Sequence, residues 1–240
     1  NTWKYYYPNG QLKKETKSKH IPIILITAMR GDKKSRIKGL ELGADAFLLV
    51  APYYNKPSQD GLYSHFSALA DATEKPIVLY SIPSRCGIEI STSTVLRLRD
   101  KHPNICALKE AGGKSSKVSE TVAVIDDDFI VLSGDDGLTL PFMACGAKGV
   151  ISVASNIIPE KVSMLVSFLQ NGQLQEARKL HLSNYSFFTD LFCEPNPVPV
   201  KILLELKGVI SSAEVRLPLC PPSAQNFDLL KKIADNLIIS

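Results

Sequence analysis

Between residues 21 and 153, short and nearly continuous apolar runs recur about every twenty to thirty residues, each followed by a helical pattern. This alternation limits the fold more than any other feature of the chain. The runs are Ile21–Thr27, Phe47–Ala51, Ile77–Tyr80, Ile105–Leu108, Phe129–Ser133 and Gly149–Val153. Strands with so few polar positions are buried on both faces, as in a parallel sheet covered by helices. Helices are expected over Asp32–Leu42, Gln59–Thr73, Thr92–Lys101, Lys114–Val124 and Leu138–Cys145. Strand–helix alternation of this kind builds right-handed β/α units.

Two architectures accommodate such units. An open doubly wound sheet tolerates six strands, but it usually carries a glycine-rich phosphate turn after its first strand. Here the first strand leads into Thr27-Ala28-Met29-Arg30-Gly31-Asp32, which has no such pattern. The α/β class expected is therefore a TIM-type (β/α)8 barrel, incomplete, with about six of the eight strands such a barrel uses. The sequence divides into a hairpin-like segment (1–20), a partial barrel (21–157) and a C-terminal helical extension (158–240). That extension is read as helices over about 158–170, 173–192, 197–207 and 223–238, punctuated by Pro195, Pro197, Pro221 and Pro222. The first segment pairs an aromatic run, Tyr5-Tyr6-Tyr7, with a turn at Pro8-Asn9-Gly10. The chain starts at Asn1 without an initiator methionine, which suggests a trimmed or incomplete product.

Composition excludes several classes. Hydrophobic residues are 45% and charged residues 22%, an ordinary globular balance. No apolar stretch approaches the roughly 20 residues of a membrane helix, so no membrane partner is expected. The net charge of +4 is concentrated near the N-terminus, among Lys13, Lys14, Lys17, Lys19, Arg30, Lys33, Lys34, Arg36 and Lys38. No aromatic-interleaved nucleic-acid module accompanies them, so a solvated face is expected and nucleic acid is not. Cysteines 86, 106, 145, 193 and 220 show no paired spacing, and with four histidines a metal site is not expected. Scattered thiols suit a reducing compartment, hence a cytoplasmic location.

In a barrel of this class the chemistry lies at the C-terminal ends of the strands. Lys109 ends the apolar run Ile105–Leu108, and alternation places Ile105, Ala107 and Lys109 on one face. Burial there disfavours the charged amine, and a neutral amine attacks a ketone to give an imine. A lysine that escapes to solvent at the strand mouth is the plainer alternative. Tyr80 and Tyr54, near the ends of two other strands, are candidate proton carriers, with aromatic packing as the alternative. Arg85, in the short loop after Pro83, could clamp a carboxylate or form a surface ion pair. The adjacent Asp135 and Asp136 suit loop or capping roles better than a metal site.

Taken together, these strings resemble the 4-hydroxy-tetrahydrodipicolinate synthase family. The resemblance rests on Pro52-Tyr53-Tyr54-Asn55-Lys56-Pro57, Leu79-Tyr80-Ser81-Ile82-Pro83-Ser84-Arg85, Leu108-Lys109-Glu110-Ala111 and Leu132-Ser133-Gly134-Asp135-Asp136. Gly149-Val150-Ile151-Ser152-Val153, Glu194-Pro195-Asn196-Pro197 and Arg216-Leu217-Pro218 continue it, over about residues 43 to 238. The resemblance implies a Schiff-base lyase, typically a homotetramer, that condenses pyruvate with aspartate semialdehyde in lysine and diaminopimelate biosynthesis. No cofactor or metal is implied beyond the covalent imine.

By position, the resemblance makes Lys109 the imine-forming lysine, Tyr80 its proton donor and acceptor, and Tyr54 a tyrosine offered to the neighbouring subunit. It makes Arg85 the ligand of the semialdehyde carboxylate, with Gly134 and Ile151 lying against pyruvate through their backbones. Related pyruvate-dependent aldolases such as N-acetylneuraminate lyase share the lysine and tyrosine. They usually differ after the tyrosine, where Ser84-Arg85 favours the synthase. The family's Gly-Thr-Thr-Gly-Glu segment is not found in this chain, and Ile21–Thr27 takes the place of the family's third strand, so the first two strands are expected to be missing. A non-catalytic fragment or fusion is the alternative this leaves open. Residues 21–45 also resemble a response-regulator receiver segment, though no aspartate precedes Asp32 to accept a phosphoryl group.

Overall fold

A computed structural model describes residues 43–237, together with the backbone of three short upstream strands. Those strands are β1 (Tyr5–Tyr6), β2 (Leu12–Lys14) and β3 (Ile24–Thr27). Then follow β4 (Ala46–Val50), α1 (Gln59–Ala70), β5 (Ile77–Ser81), α2 (Pro83–Cys86), α3 (Thr92–Lys101), β6 (Ile105–Glu110), α4 (Ser115–Val122) and β7 (Ile130–Ser133). The helices α5 (Thr139–Ala144), α6 (Pro159–Gln170), α7 (Leu174–Asp190), α8 (Val198–Leu206) and α9 (Ala224–Asn236) complete the order. A 3-10 turn, Ala154–Asn156, precedes α6. The expected helix over 32–42, the beginning of the strand at 21–23 and the turn at 8–10 lie outside the described residues.

Contacts divide the chain into two compact units, residues 1–131 and 132–240, with the boundary inside β7. In the first unit β1 and β2 pair antiparallel, Tyr5 opposite Lys14, as a hairpin would. Separately, β3 to β6 form a parallel sheet, and β7 ends the order β3-β4-β5-β6-β7. Phe47, Leu48 and Leu49 are consecutive and all at most 1% exposed, so β4 is covered on both faces. Helices α1 and α3 add Leu62, Phe66, Val95 and Leu98, each fully buried. Side chains of this size contribute about 1.5–3 kcal/mol each on burial. Both helices begin at a serine whose hydroxyl accepts an N–H of the first turn, Gly61 to Ser58 and Thr94 to Ser91.

One detail of the sheet governs the site. Ile77 pairs with Ile105, but Val78 pairs with Ala107, so β6 holds one extra residue, Cys106, at a bulge. The alternation read from sequence is therefore corrected. Ile105 stands with Ile77, whereas Ala107 and Lys109 stand with Val78 and Tyr80.

In the second unit a core of Ile157, Ile158, Val162, Leu191, Leu203 and Leu230 holds the helices together. The Lys207 ammonium donates to the carbonyls of Ala234 and Leu237, at 3.0 and 2.6 Å, and so closes the C-terminal end of α9. The expected strand Gly149–Val153 does not form as such. It makes a single bridge, with Ser133 N–H donating to the Gly149 carbonyl and Ile151 N–H to the Ser133 carbonyl, both at 2.8 Å. Beyond it, the N–H groups of Val153 and Ala154 donate to the Asp136 carboxylate instead of a ladder, and the chain turns into the 3-10 segment.

Candidate active site

The structure brings Lys109 and Tyr80 together. They are register partners on neighbouring parallel strands, and partners in register project from the same face. The Lys109 ammonium lies 4.1 Å from the centroid of the Tyr80 ring, a cation–π contact. Lys109 is 9% exposed, so it does not escape to solvent at the strand mouth. Burial pushes the Tyr80 phenol above its usual range; the charge of Arg85 opposes this, and the Cys86 thiol adds slightly to it. The phenol therefore stays protonated at neutral pH and is poised as an acid.

Arg85 sits not in a loop but in the single turn of α2. Pro83 occupies the first position of that turn, and Gly87 ends it with φ +69°, donating its N–H to the Pro83 carbonyl at 2.8 Å. The guanidinium is exposed, and its charge reaches both Tyr80 and Cys86. Cys86 is buried, and its thiol donates to the Ala51 carbonyl at 3.2 Å. That bond ties α2 to the start of the 52–57 loop.

In that loop Tyr54 is 88% exposed, on a left-handed backbone with φ +65°. An aromatic residue held outward at a conformation it disfavours is not part of the packing of its own chain. Lys56 is also left-handed, at φ +44°, and its Cε lies 2.8 Å from where a Cβ on Gly87 would stand. Glycine at 87 therefore answers two demands at once, its own positive φ and the passage of the Lys56 stem.

Gly134 and Ile151 belong to the second unit. Gly134 is half-buried directly after β7, and Ile151 spends its N–H on the Ser133 carbonyl. Asp135 accepts from Leu138 N–H at 3.2 Å, and Asp136, 2% exposed, takes the two N–H groups named above. These are the loop and capping roles expected of the pair. Among the described residues no three histidine, cysteine or acidic side chains cluster as metal ligands. The five cysteines are free thiols.

Residues 34–237 match the model of the dihydrodipicolinate synthetase family. The chain belongs to that family. It is 46% identical over 219 residues to a 4-hydroxy-tetrahydrodipicolinate synthase of Sulfurihydrogenibium sp. (strain YO3AOP1), covering 90% of this chain and 75% of that one. Its fold superposes on the dihydrodipicolinate synthase of Aquifex aeolicus with a TM-score of 0.85 at 41% identity, covering 90% of this chain and 74% of that one. A chloride-inhibited dihydrodipicolinate synthase from Acinetobacter baumannii, complexed with pyruvate, superposes at 0.84 with 38% identity, covering 91% and 77%. The family match takes in residues 34–45, the later part of the 21–45 stretch with receiver-like character.

Sequence reasoning missed two features of this synthase-family site. The bulge at Cys106 leaves no sequence signal, because Cys106 reads as one more apolar strand residue. Glu110, 1% exposed, carried a signal that was passed over: an acid directly continuing a buried strand.

Proposed function

We propose that this chain is a 4-hydroxy-tetrahydrodipicolinate synthase, condensing pyruvate with aspartate semialdehyde through an imine on Lys109. The observation that carries this is the buried Lys109–Tyr80 pair in a chain that belongs to the family. The Lys109 amine adds to the pyruvate ketone, and loss of water gives the imine. The protonated imine withdraws electrons, so a proton leaves the methyl carbon and the resulting enamine attacks the aldehyde. Tyr80 supplies and recovers protons during imine formation. Arg85, exposed beside Tyr80, is suited to the semialdehyde carboxylate. Gly134 and Ile151 are assigned to pyruvate through their backbones, and Tyr54 to the site of a neighbouring subunit. The exposure of Tyr54 supports that assignment.

The imine itself is the electron sink, so this chemistry calls for no metal or further cofactor. Homo-oligomerisation and a cytoplasmic location belong to the same reading. No helix among the described residues is long and apolar enough to cross a membrane. We also read the barrel as open in this chain, because β3 stands at the end of the strand order among the described residues. The decisive experiment is borohydride reduction in the presence of pyruvate, followed by peptide mass spectrometry. The adduct is expected on Lys109 and should vanish in Lys109→Ala. An adduct persisting on another lysine would refute the assignment.

A further inference from the structure

One register step beyond Tyr80 and Lys109, Ser81 pairs with Glu110, and this pair projects from the opposite face of the sheet. Both are sealed from solvent, at 0% and 1% exposure. A glutamate is among the residues least often buried, and each of its oxygens needs a donor when it is. Oε1 accepts the N–H of Gly112 at 2.5 Å, a closure across two residues. Oε2 has no hydrogen-bond partner. The fit is tight: a Cβ on Gly112 would stand 2.6 Å from Oε1 and 3.6 Å from the ring of Pro83. Ala111 N–H donates to the Ser81 carbonyl at 2.9 Å, the last rung before the chain turns away. Gly113 then takes φ +84°.

Other polar groups meet the same side of the sheet. Ser81 Oγ accepts from Ile90 N–H at 3.2 Å. Lys117, 8% exposed, donates to Thr92 Oγ1 at 2.9 Å, and Thr92 and Thr121 share a hydroxyl contact at 3.2 Å. Burial pushes the Glu110 carboxyl up; the Gly112 N–H and the Lys117 charge pull it down, and Glu89 adds a weaker upward push. A hydrophobic residue would satisfy packing here without leaving an orphaned oxygen. What glutamate adds is an acceptor for the Gly112 amide at the point where β6 ends.

We infer that Glu110 is a positioning residue for the imine-forming step: its carboxyl clamps the Gly112 amide, fixes the exit of β6, and thereby holds the Lys109 backbone so that the amine meets its substrate. Glu110 touches neither substrate nor the reacting atoms. It acts through the peptide it shares with Lys109. The inference rests on the reading of Lys109 as the nucleophile.

The test is the rate of borohydride-trapped adduct formation as a function of pyruvate concentration, in the full chain and in Glu110→Gln, Glu110→Ala and Gly112→Ala. Glu110→Gln keeps an oxygen acceptor for Gly112 and should stay within about threefold of the parent. Glu110→Ala should lower the saturating rate by about tenfold to hundredfold, the scale of a small misplacement of a reacting group. The half-saturating pyruvate concentration should not move, because Glu110 makes no contact with pyruvate. Gly112→Ala, which pushes the carboxyl away from its amide, should reproduce the loss and serves where Glu110→Ala does not fold. A parent-like saturating rate in folded Glu110→Ala or Gly112→Ala overturns the inference, as does a Glu110→Gln rate as low as that of Glu110→Ala. Failure of the parent chain to form any adduct overturns the reading of Lys109, and the inference with it.

Discussion

Lys109 lies over the ring of Tyr80 because β6 carries one more residue than β5 between its first two rungs. With unbroken register from Ile77 and Ile105, Lys109 would face Ser81; the extra Cys106 shifts it opposite Tyr80, 4.1 Å from the ring centroid. The Cys106 thiol turns back toward the Ile77 carbonyl at 3.7 Å, which marks where the shift occurs. A bulge beside reactive side chains re-aims them without altering their sequence.

Tyr80→Phe keeps the ring beneath Lys109 and deletes only the hydroxyl. Imine formation should slow by about 10²–10⁴-fold, the usual contribution of a positioned proton carrier. Adduct should still accumulate on Lys109 at long times, as read by a time course of borohydride trapping. Because burial raises the phenol's pKa, no gain in rate from phenolate formation should appear below pH 10, its ordinary value.

Asp136 should reveal its capping role through the contrast of two substitutions. Asp136→Ala strands the N–H groups of Val153 and Ala154 and should cost about 1–3 kcal/mol in denaturant unfolding. Asp136→Asn keeps an acceptor oxygen without the buried charge. Burial raises the carboxyl, outweighing its bonds to Ser152, Ala154 and Val153. A raised acid contributes stability that is fully present below its unfolded pKa and is lost as pH rises through the folded value. Asp136→Asn should therefore match or exceed the parent at neutral pH and flatten that decline.

His181, 7% exposed on α7, has an Nδ1 with no hydrogen-bond partner and packs near the rings of Tyr185 and Phe188. Burial lowers its pKa from the ordinary 6.5. The unfolded chain then binds this proton more readily than the folded one. Stability should fall as pH drops through about 6.5 and level off below the depressed folded value. His181→Phe should remove this part of the acid sensitivity, measured as the unfolding midpoint between pH 7 and 5. An unchanged slope would refute it.

Much of this was legible in the residues themselves. Runs such as Phe47–Ala51 and Ile105–Leu108 can only be strands covered on both sides, since every consecutive position is apolar, and the helical pattern over Thr92–Lys101 has the bounds of helix α3. The order of motifs around Tyr54, Tyr80, Arg85 and Lys109 was enough to indicate the family. Local pattern could not decide whether Gly149–Val153 would complete a strand, because the N–H groups of Val153 and Ala154 at its end were claimed by Asp136, seventeen and eighteen residues away in sequence. It could not reveal that Cys106 would be squeezed out of register, since a bulge depends on how two strands meet. Nor could it show Glu110 closing on Gly112 in a site that water does not reach. Composition and periodicity report which residues prefer to be buried. Which backbone amide meets which carboxylate, and which ring lies under which amine, is settled only when distant segments compete for the same hydrogen bonds and the same volume.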